Sequence, residues 1–235
     1  MTNSQIIRCV LEQIPENKLI FADKLYNEEL QNQVSENSFY QTLGRMCKSG
    51  SLCRIAKGTY YRPKEGKYGI IPPSEKEIIS AFTESNSGMI VGYSLFNHLK
   101  LTTQIPKTVE MLSSKMDQQT KSIRNVLLHF CDLEYTPDVE DMVRMLEVLQ
   151  NFDRIQDLNS AQFVNYCEKF VLMYSDKVFV DVNSKKRYKK RTISFLKNIL
   201  DFYDVPNELE RYLSSTSEYK HPEMEEIYEA AQLSQ

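Results

Sequence analysis

Basic and aromatic side chains are concentrated in one short segment of the chain, SLCRIAKGTYYRPKEGKYG at residues 51–69. Its cations are Arg54, Lys57, Arg62, Lys64 and Lys67, set against one acid, Glu65, and interleaved with Tyr60, Tyr61 and Tyr68. Lysine and arginine neutralise phosphate charge, and a tyrosine hydroxyl can hydrogen-bond to a phosphate oxygen. We therefore expect Arg54, Lys57, Arg62 and Lys64 to face a nucleic-acid backbone, with Tyr60 or Tyr61 packed beneath them and one tyrosine hydroxyl on a phosphate.

A second set of polar side chains precedes this segment and has the chemistry to recognise bases. It consists of Asn37, Ser38, Tyr40, Gln41, Arg45 and Lys48. These residues lie off the apolar positions Phe39, Leu43 and Met46, which recur at helical spacing. Asn, Gln and Arg can each form paired hydrogen bonds with a base edge in the major groove. The pattern predicts a helix with one buried face and one face able to contact DNA.

Three predicted helices and a predicted hairpin would position these side chains. Apolar periodicity predicts a helix in NSQIIRCVLEQI, and LIFADKLYNEEL predicts a short second helix that begins near Phe21. Ser35 can cap the third helix and Gly50 can close it, while Gly58 suits a turn between two β-prone runs. This order is the layout of a winged helix-turn-helix, whose third helix enters the DNA major groove and whose hairpin lies against the flanking backbone. Because the basic excess is modest, a protein-binding role stays open as the alternative.

Charge divides the chain into two parts. Residues 1–70 contain 10 Lys and Arg and 7 Asp and Glu, a charge of +3, whereas residues 71–235 contain 19 and 25, a charge of −6. A basic front can approach a polyanion that would repel the acidic body. We expect an α+β chain with a winged helix-turn-helix at 1–70. A mixed α/β domain at 71–235 would follow, with a small α/β unit to about residue 135 and a helical C-terminal part.

No catalytic pattern accompanies these features. The histidines are His98, His129 and His221, and the sequence has no glycine-rich phosphate loop, GxSxG elbow or HExxH motif. Five cysteines without a CxxC pair indicate reduced thiols in the cytoplasm and no zinc site. No apolar run approaches the ~18 residues of a membrane span. We expect a cytoplasmic protein that is not an enzyme, uses no cofactor or metal and does not contact a membrane.

Short motifs in the middle of the chain occur in a fixed order. IAKGTYYRPKEGKYGIIPPSEKEII is followed by GYSLFNHLKLTTQIPKTVEMLSSK, which contains Leu101, Thr103, Gln104 and Pro106. Over roughly residues 1–130, these motifs resemble the AbiEi family of antitoxins, from bacterial abortive-infection toxin–antitoxin systems. The resemblance implies a winged helix-turn-helix that represses its own operon by binding promoter DNA, for which inverted-repeat operators are expected. It also implies a second domain that counteracts a nucleotidyltransferase toxin encoded next door.

The resemblance leaves open whether the two proteins touch and how many copies of the chain assemble. The alternative function is a stand-alone winged-helix transcription regulator whose C-terminal domain senses a ligand or dimerises.

Two further segments of the second domain are candidates for partner contact. In LTTQIP, Thr103 and Gln104 either meet a partner or bond the local backbone and fix the turn before Pro106, and we favour the local bonds. The basic run SKKRYKKR contains Lys185, Lys186, Arg187, Lys189, Lys190 and Arg191. A helix beginning near Lys186 would place this charge at its N-terminus, where cations are unfavourable. That cost indicates an anionic partner, namely DNA, RNA or an acidic face of the toxin; the alternative is a solvated basic turn.

Overall fold

The computed structural model describes residues 2–233, which combine α-helices with small β-sheets. The chain is therefore α+β, as its sequence predicts. Its residues pack into two units. The first extends to Phe82 and includes Ser122–Val126, and the second comprises Thr83–Lys121 and the chain from Leu127 onward. The first unit extends past residue 70 because the buried Phe82 packs edge-on against Phe21, with ring centroids 5.1 Å apart.

The first unit begins with three helical segments and a three-stranded sheet. The helices are α1 (Asn3–Gln13), α2 (Ala22–Leu25, continued by a π-helical turn at Tyr26–Leu30) and α3 (Glu36–Lys48). Antiparallel strands β1 (Leu19–Phe21), β2 (Cys53–Ala56) and β3 (Thr59–Tyr61) lie in the order β1–β3–β2. Helix α2 begins at Ala22 with Phe21 as its N-cap, which agrees with the predicted start near Phe21, whereas strand β1 before it was not predicted. The residues of β1 pair with β3, with Leu19 opposite Tyr61.

Local signals in the sequence account for the bounds of α3. The Ser35 hydroxyl accepts the Ser38 N–H at 3.4 Å, which confirms the predicted N-cap and satisfies one of the free N–H groups of the first turn. Phe39, Leu43 and Met46 are buried in the core of the unit. Gly50 follows the helix with φ of 78°, a left-handed conformation that glycine adopts without strain. The buried face of α3 is thereby fixed, and so is its exposed face.

The first unit continues with a separate two-stranded hairpin and one more helix. The hairpin pairs β4 (Lys64–Gly66) with β5 (Gly69–Ile71), and the helix is α4 (Glu75–Thr83). Helix α4 begins with a capping box, in which the Ser74 N–H donates to Glu77 at 2.6 Å and the Glu77 N–H donates to Ser74 Oγ at 3.3 Å. The Ser74 hydroxyl also donates to the Glu77 carboxylate, at 2.7 Å, and the two bonds from the Ser74 N–H and hydroxyl lower the pKa of that carboxyl.

The second unit contains a four-stranded sheet and six helices. The strands β6 (Gly88–Val91), β7 (Val109–Ser113), β8 (Thr120–Ile123) and β9 (Val126–Phe130) lie in the order β6–β7–β9–β8. The tip of the β8–β9 hairpin, Ser122–Val126, belongs to the first unit. The helices are α5 (Gly92–His98), α6 (Pro137–Asn151), α7 (Ser160–Val171), α8 (Asp176–Lys185), α9 (Lys190–Phe202) and α10 (Met224–Leu233).

Helix α6 lies in the centre of the second unit's core. Its residues from Met142 to Leu149 are buried except Arg144, so the helix packs on nearly all sides. Within residues 2–233, no helix has both the length and the apolar character needed to cross a membrane.

Candidate nucleic-acid interface

One side of α3 presents a row of four polar residues to solvent. Asn37, Gln41, Arg45 and Lys48 are all exposed, and their spacing of three or four residues places them along one face of the helix. The Gln41 Nε2 donates to Asn37 Oδ1 at 3.2 Å, so the two amides hold each other in place. This exposed row of α3 carries two amide side chains and two cations. It has the donors and acceptors that base edges and phosphates require.

Gly44 lies next to this row on the helix surface. With about 100° of rotation per residue, it is within about 60° of Asn37, Gln41 and Lys48 around the helix axis. No heavy atom lies within 4 Å of the position that a Cβ would occupy at Gly44. The backbone beside the row is therefore open, and a large ligand can approach it closely.

Three of the residues predicted to contact DNA do not lie in this exposed row. The Tyr40 hydroxyl donates to the carboxylate of Asp23 on α2, and burial followed by that hydrogen bond raises the pKa of Tyr40. Tyr60 on β3 is half-buried against the core, where burial raises its pKa. Ser38 is also half-buried, and its N–H is taken by the N-cap. Tyr40 and Tyr60 connect α3 to its neighbours, which is a structural role.

The four expected phosphate-contacting cations do not form one cluster on a single hairpin. Lys57 is exposed in the β2–β3 turn, beside Gly58 with φ of 66°. Arg54 is exposed on β2, and its Nε donates to the carbonyl of Ala56 at 3.3 Å. Lys64 is exposed on β4. Arg62 lies at the C-terminus of α1, where it donates to the carbonyls of Glu12 and Ile14 at 2.9 and 2.6 Å.

The position of Arg62 gives it a clear local function. The last carbonyls of a helix have no partner within the helix and carry the negative end of its dipole. A guanidinium that donates to two of them stabilises the end of α1. Sequence alone places Arg62 among the basic residues of the hairpin because its partners are about fifty positions earlier.

In the second unit, the LTTQIP segment is bonded to a loop that follows α6. The buried Thr102 hydroxyl donates to the carbonyl of Gln156 at 2.7 Å, and Gln104 Nε2 donates to Asp157 at 3.0 Å. A local bond also forms, since the Gln104 N–H donates to Thr102 Oγ1 at 3.2 Å. Thr103 is exposed. Two of the three polar residues thus connect chain segments within the unit.

The basic run is divided between two helices. Lys185 ends α8 and pairs with Asp132 at 2.7 Å, and Lys186 pairs with Glu147 at 3.1 Å. Helix α9 begins at Lys190, not near Lys186, because the chain leaves helical geometry between the two. The charges at the end of α8 are therefore favourable to its dipole.

The remaining residues of the run differ in their contacts. Arg191 pairs with Asp153 and donates to the carbonyl of Lys220. Arg187, Lys189 and Lys190 are exposed, and no ion pair engages them within residues 2–233. Three of the six cations thus remain for an outside partner.

Residues 7–129, which are more than half of the chain, match DUF6088, described as a family of unknown function. The chain belongs to the DUF6088 family. Among curated proteins, none matches the sequence. Among solved structures, the chain is similar to the RV2827C protein from Mycobacterium tuberculosis, at 13% identity and a TM-score of 0.39 over 86% of this chain and 77% of the other.

The DUF6088 match includes α3 and both hairpins of the first unit and ends within β9. The basic run and helices α6 to α10 lie outside it. The residues of the candidate interface are therefore in the part of the chain that this family shares.

Sequence reasoning missed a polar cleft in the second unit. It has a volume of about 300 Å³ and is lined by Glu110, His129, Glu147, Gln150, Asn151 and Lys186, among others. Glu147 is buried, and its Oε1 accepts from the Tyr188 hydroxyl at 2.9 Å and from Lys186. Burial and the charge of Glu147 raise the pKa of Tyr188. Within residues 2–233, no group of three or more His, Cys, Asp and Glu side chains is placed to hold a metal ion.

Proposed function

We propose that the first unit is a winged helix-turn-helix that binds duplex DNA, with α3 as the recognition helix in the major groove. The observation that supports this most is the division of α3 into two faces. Phe39, Leu43 and Met46 fix one face in the core, and the exposed row of Asn37, Gln41, Arg45 and Lys48 occupies the other. An α-helix fits the major groove, and paired hydrogen bonds from these side-chain types distinguish bases there.

The β2–β3 hairpin is the wing of this proposed domain. It follows α3 in the chain, and its turn carries the exposed Lys57. A lysine at this position contacts the phosphate backbone beside the groove, which adds affinity without sequence preference. The positive charges of the exposed Arg54 and Lys64 add to the attraction for the phosphate backbone.

We propose further that the DNA is the promoter of the protein's own operon and that the second unit counteracts a nucleotidyltransferase toxin. The resemblance to the AbiEi antitoxins supports this part, through the ordered motifs that end with Leu101, Thr103, Gln104 and Pro106. Of these, Gln104 is bonded within the second unit, so its role is in building that unit. Arg187, Lys189 and Lys190 are the exposed cations available to an acidic partner surface.

DNA binding is tested by fluorescence anisotropy with labelled duplex from upstream of the gene and a random duplex of equal length. Arg45→Ala should weaken binding to the upstream duplex by about tenfold or more, the value of one good base contact. Lys57→Ala should weaken binding to both duplexes. It should also reduce the salt slope, the slope of the logarithm of the binding constant against the logarithm of salt concentration, by about one. Arg8→Ala is the matched control, because Arg8 is an exposed arginine on α1. Equal losses for Arg8→Ala and Arg45→Ala would exclude α3 as the recognition helix.

The antitoxin role is tested by co-expression of the full chain with a nucleotidyltransferase encoded beside it. The wild-type chain should restore growth and repress a promoter reporter. Arg45→Ala should lose repression and still restore growth, because its effect is confined to the first unit. Failure of the wild-type chain to restore growth would refute the antitoxin role and leave DNA binding untouched.

The cleft around Glu147 favours a second candidate, a transcription regulator whose second unit binds a small polar ligand. Its lining offers carboxylates, amides and a lysine in about 300 Å³, the lower size range of small-molecule sites. This candidate predicts no toxin gene beside the coding sequence. It also predicts that Asn151→Leu, which replaces a lining amide, changes promoter repression in cells without changing DNA affinity of the purified protein.

A further inference from the structure

The β4–β5 hairpin stands apart from the sheets of the first unit as a ribbon of two strands. Lys64 lies opposite Ile71, Glu65 opposite Ile70, and Gly66 opposite Gly69, with a two-residue loop at Lys67 and Tyr68. Gly69 has φ of 116°, a conformation that only glycine adopts readily. The Ile71 side chain lies directly over Gly66, so close that a Cβ there would be 2.6 Å from it. These glycines set the turn and place Tyr68 at its tip.

Large apolar side chains of this hairpin are exposed to solvent. Tyr68 is 94% exposed, Ile70 51% and Ile71 48%. A hairpin of two strands has marginal stability when nothing covers it, and exposed apolar groups that cluster usually mark a contact surface. The exposure of Tyr68 is nearly complete, although a tyrosine is normally at least partly buried. The hairpin therefore lacks the packing that would explain its apolar residues.

The charges on the hairpin indicate which partner fits. Lys64 and Lys67 are exposed, and within residues 2–233 neither forms an ion pair. The Lys67 ammonium lies 5.5 Å from the centre of the Tyr68 ring, and the charge of Lys64 contributes to the lowered pKa of Glu77. A lysine paired with an aromatic ring suits a surface that is anionic and also has apolar faces, as the sugar–phosphate walls of a groove do.

A second copy of the chain is a poorer fit. A two-fold contact centred on the hairpin tip would place Lys67 of each copy near Lys67 of the other, where the like charges repel. Three exposed apolar side chains are also far fewer than the roughly 20–30 residues that each partner contributes to a stable protein interface. Duplex DNA needs only a few contacts here, since α3 would supply the main ones.

We propose that the β4–β5 hairpin is a second DNA arm, whose tip residues Lys67 and Tyr68 contact the backbone and minor groove beside the segment bound by α3. This inference rests on the proposed DNA-binding function and extends it to residues that the sequence did not assign. A two-stranded ribbon is narrow enough to follow a DNA groove, and an aromatic tip can pack on the sugars there.

The test uses the absence of tryptophan from the sequence. Tyr68→Trp makes position 68 the sole tryptophan of the full chain, so its emission reports on the hairpin tip alone. Titration with the upstream duplex should quench and shift that emission at the concentrations where anisotropy shows binding. Leu172→Trp is the matched control, because Leu172 is 85% exposed and lies in the second unit. Its emission should not change.

Affinity supplies the second measurement. Tyr68→Ala should weaken DNA binding about tenfold, the value of one hydrogen bond to a charged phosphate. Tyr68→Phe keeps the ring and removes the hydroxyl, so it measures the contribution of the hydroxyl alone. Circular dichroism checks that each variant folds. If the wild-type chain and Arg45→Ala differ in binding but Tyr68→Ala matches the wild type, the arm is refuted and DNA binding by α3 stands. If the wild-type chain binds no duplex, the proposed function fails first and the arm with it. A change in sedimentation of Tyr68→Ala without a change in DNA affinity would assign the hairpin to self-association and overturn the proposal.

Discussion

Replacing Gly44 with alanine should make the protein more stable and a weaker DNA binder at the same time. Glycine in the interior of a helix costs about 1 kcal/mol relative to alanine. The new Cβ meets no heavy atom within 4 Å, so no clash offsets that gain. For a chain of this size, the melting temperature should rise by about 2–4 °C.

The effect on DNA binding has the opposite sign because Gly44 lies on the same side of α3 as Asn37, Gln41 and Lys48. If α3 lies in the major groove, a methyl group at that point separates the helix from the bases. Paired contacts from Gln41 and Arg45 are worth about 1–3 kcal/mol each. Loss of one such contact lowers affinity about tenfold, which corresponds to ~1.4 kcal/mol.

Thermal unfolding by circular dichroism and anisotropy on the upstream duplex measure the two effects on the same samples. Asn165→Ala is the control, because Asn165 is exposed in the interior of α7 and alanine should also favour that helix. It should raise stability without changing affinity. A Gly44→Ala protein that is more stable and binds DNA as tightly as the wild type would refute the placement of α3 in the groove.

Three substitutions test the supporting structure. Ser74→Ala should cost about 1 kcal/mol of unfolding free energy. Because the folded-state pKa of Glu77 is lowered, the loss of unfolding free energy in Ser74→Ala should be complete above pH 4.5, the ordinary carboxyl pKa, and should shrink as the pH falls below it. Urea unfolding at a series of pH values measures this. Lys186→Met should lower the unfolding free energy by about 2 kcal/mol, because the buried Glu147 then keeps only one partner, Tyr188. This loss is smaller than the loss expected for a fully buried ion pair. Calorimetry measures it, and unchanged stability would contradict the role of the pair. Arg62→Ala should destabilise the first unit by about 1–2 kcal/mol and leave the salt slope of DNA binding unchanged, whereas a reduced slope would return Arg62 to the phosphate contacts.

Elements with local signals could be predicted from the sequence. Ser35 and Gly50 mark the two ends of α3, and Ser74 with Glu77 marks the start of α4. Each depends on residues within a few positions of one another, so a single sequence contains the whole interaction. The exposed row of α3 could be predicted from the helical spacing of Phe39, Leu43 and Met46, because the position of the buried face also determines the position of the exposed face.

Features that depend on distant partners could not be predicted in this way. The β4–β5 hairpin is composed of Lys, Glu and Gly as well as Ile, so it has no alternating apolar pattern. Arg62 was assigned to phosphates because nothing near it in sequence shows that its partners are carbonyls of α1. Half of the basic run is paired with Asp132, Glu147 and Asp153, which belong to other segments.

The path of the chain through its two units limits how they can be exchanged during evolution. The first unit is assembled from two separate stretches, since Ser122–Val126 returns to it after the chain has entered the second unit. Arg124 donates to the carbonyl of Pro73 at 2.9 Å, and Asn125 donates to Glu75, so the returning stretch is held by its own bonds. A single recombination event between residues 83 and 121 would therefore combine one parent's α3 with the other parent's Arg124. Productive exchange of the whole first unit requires crossovers beyond residue 126, and the two units are expected to be inherited together.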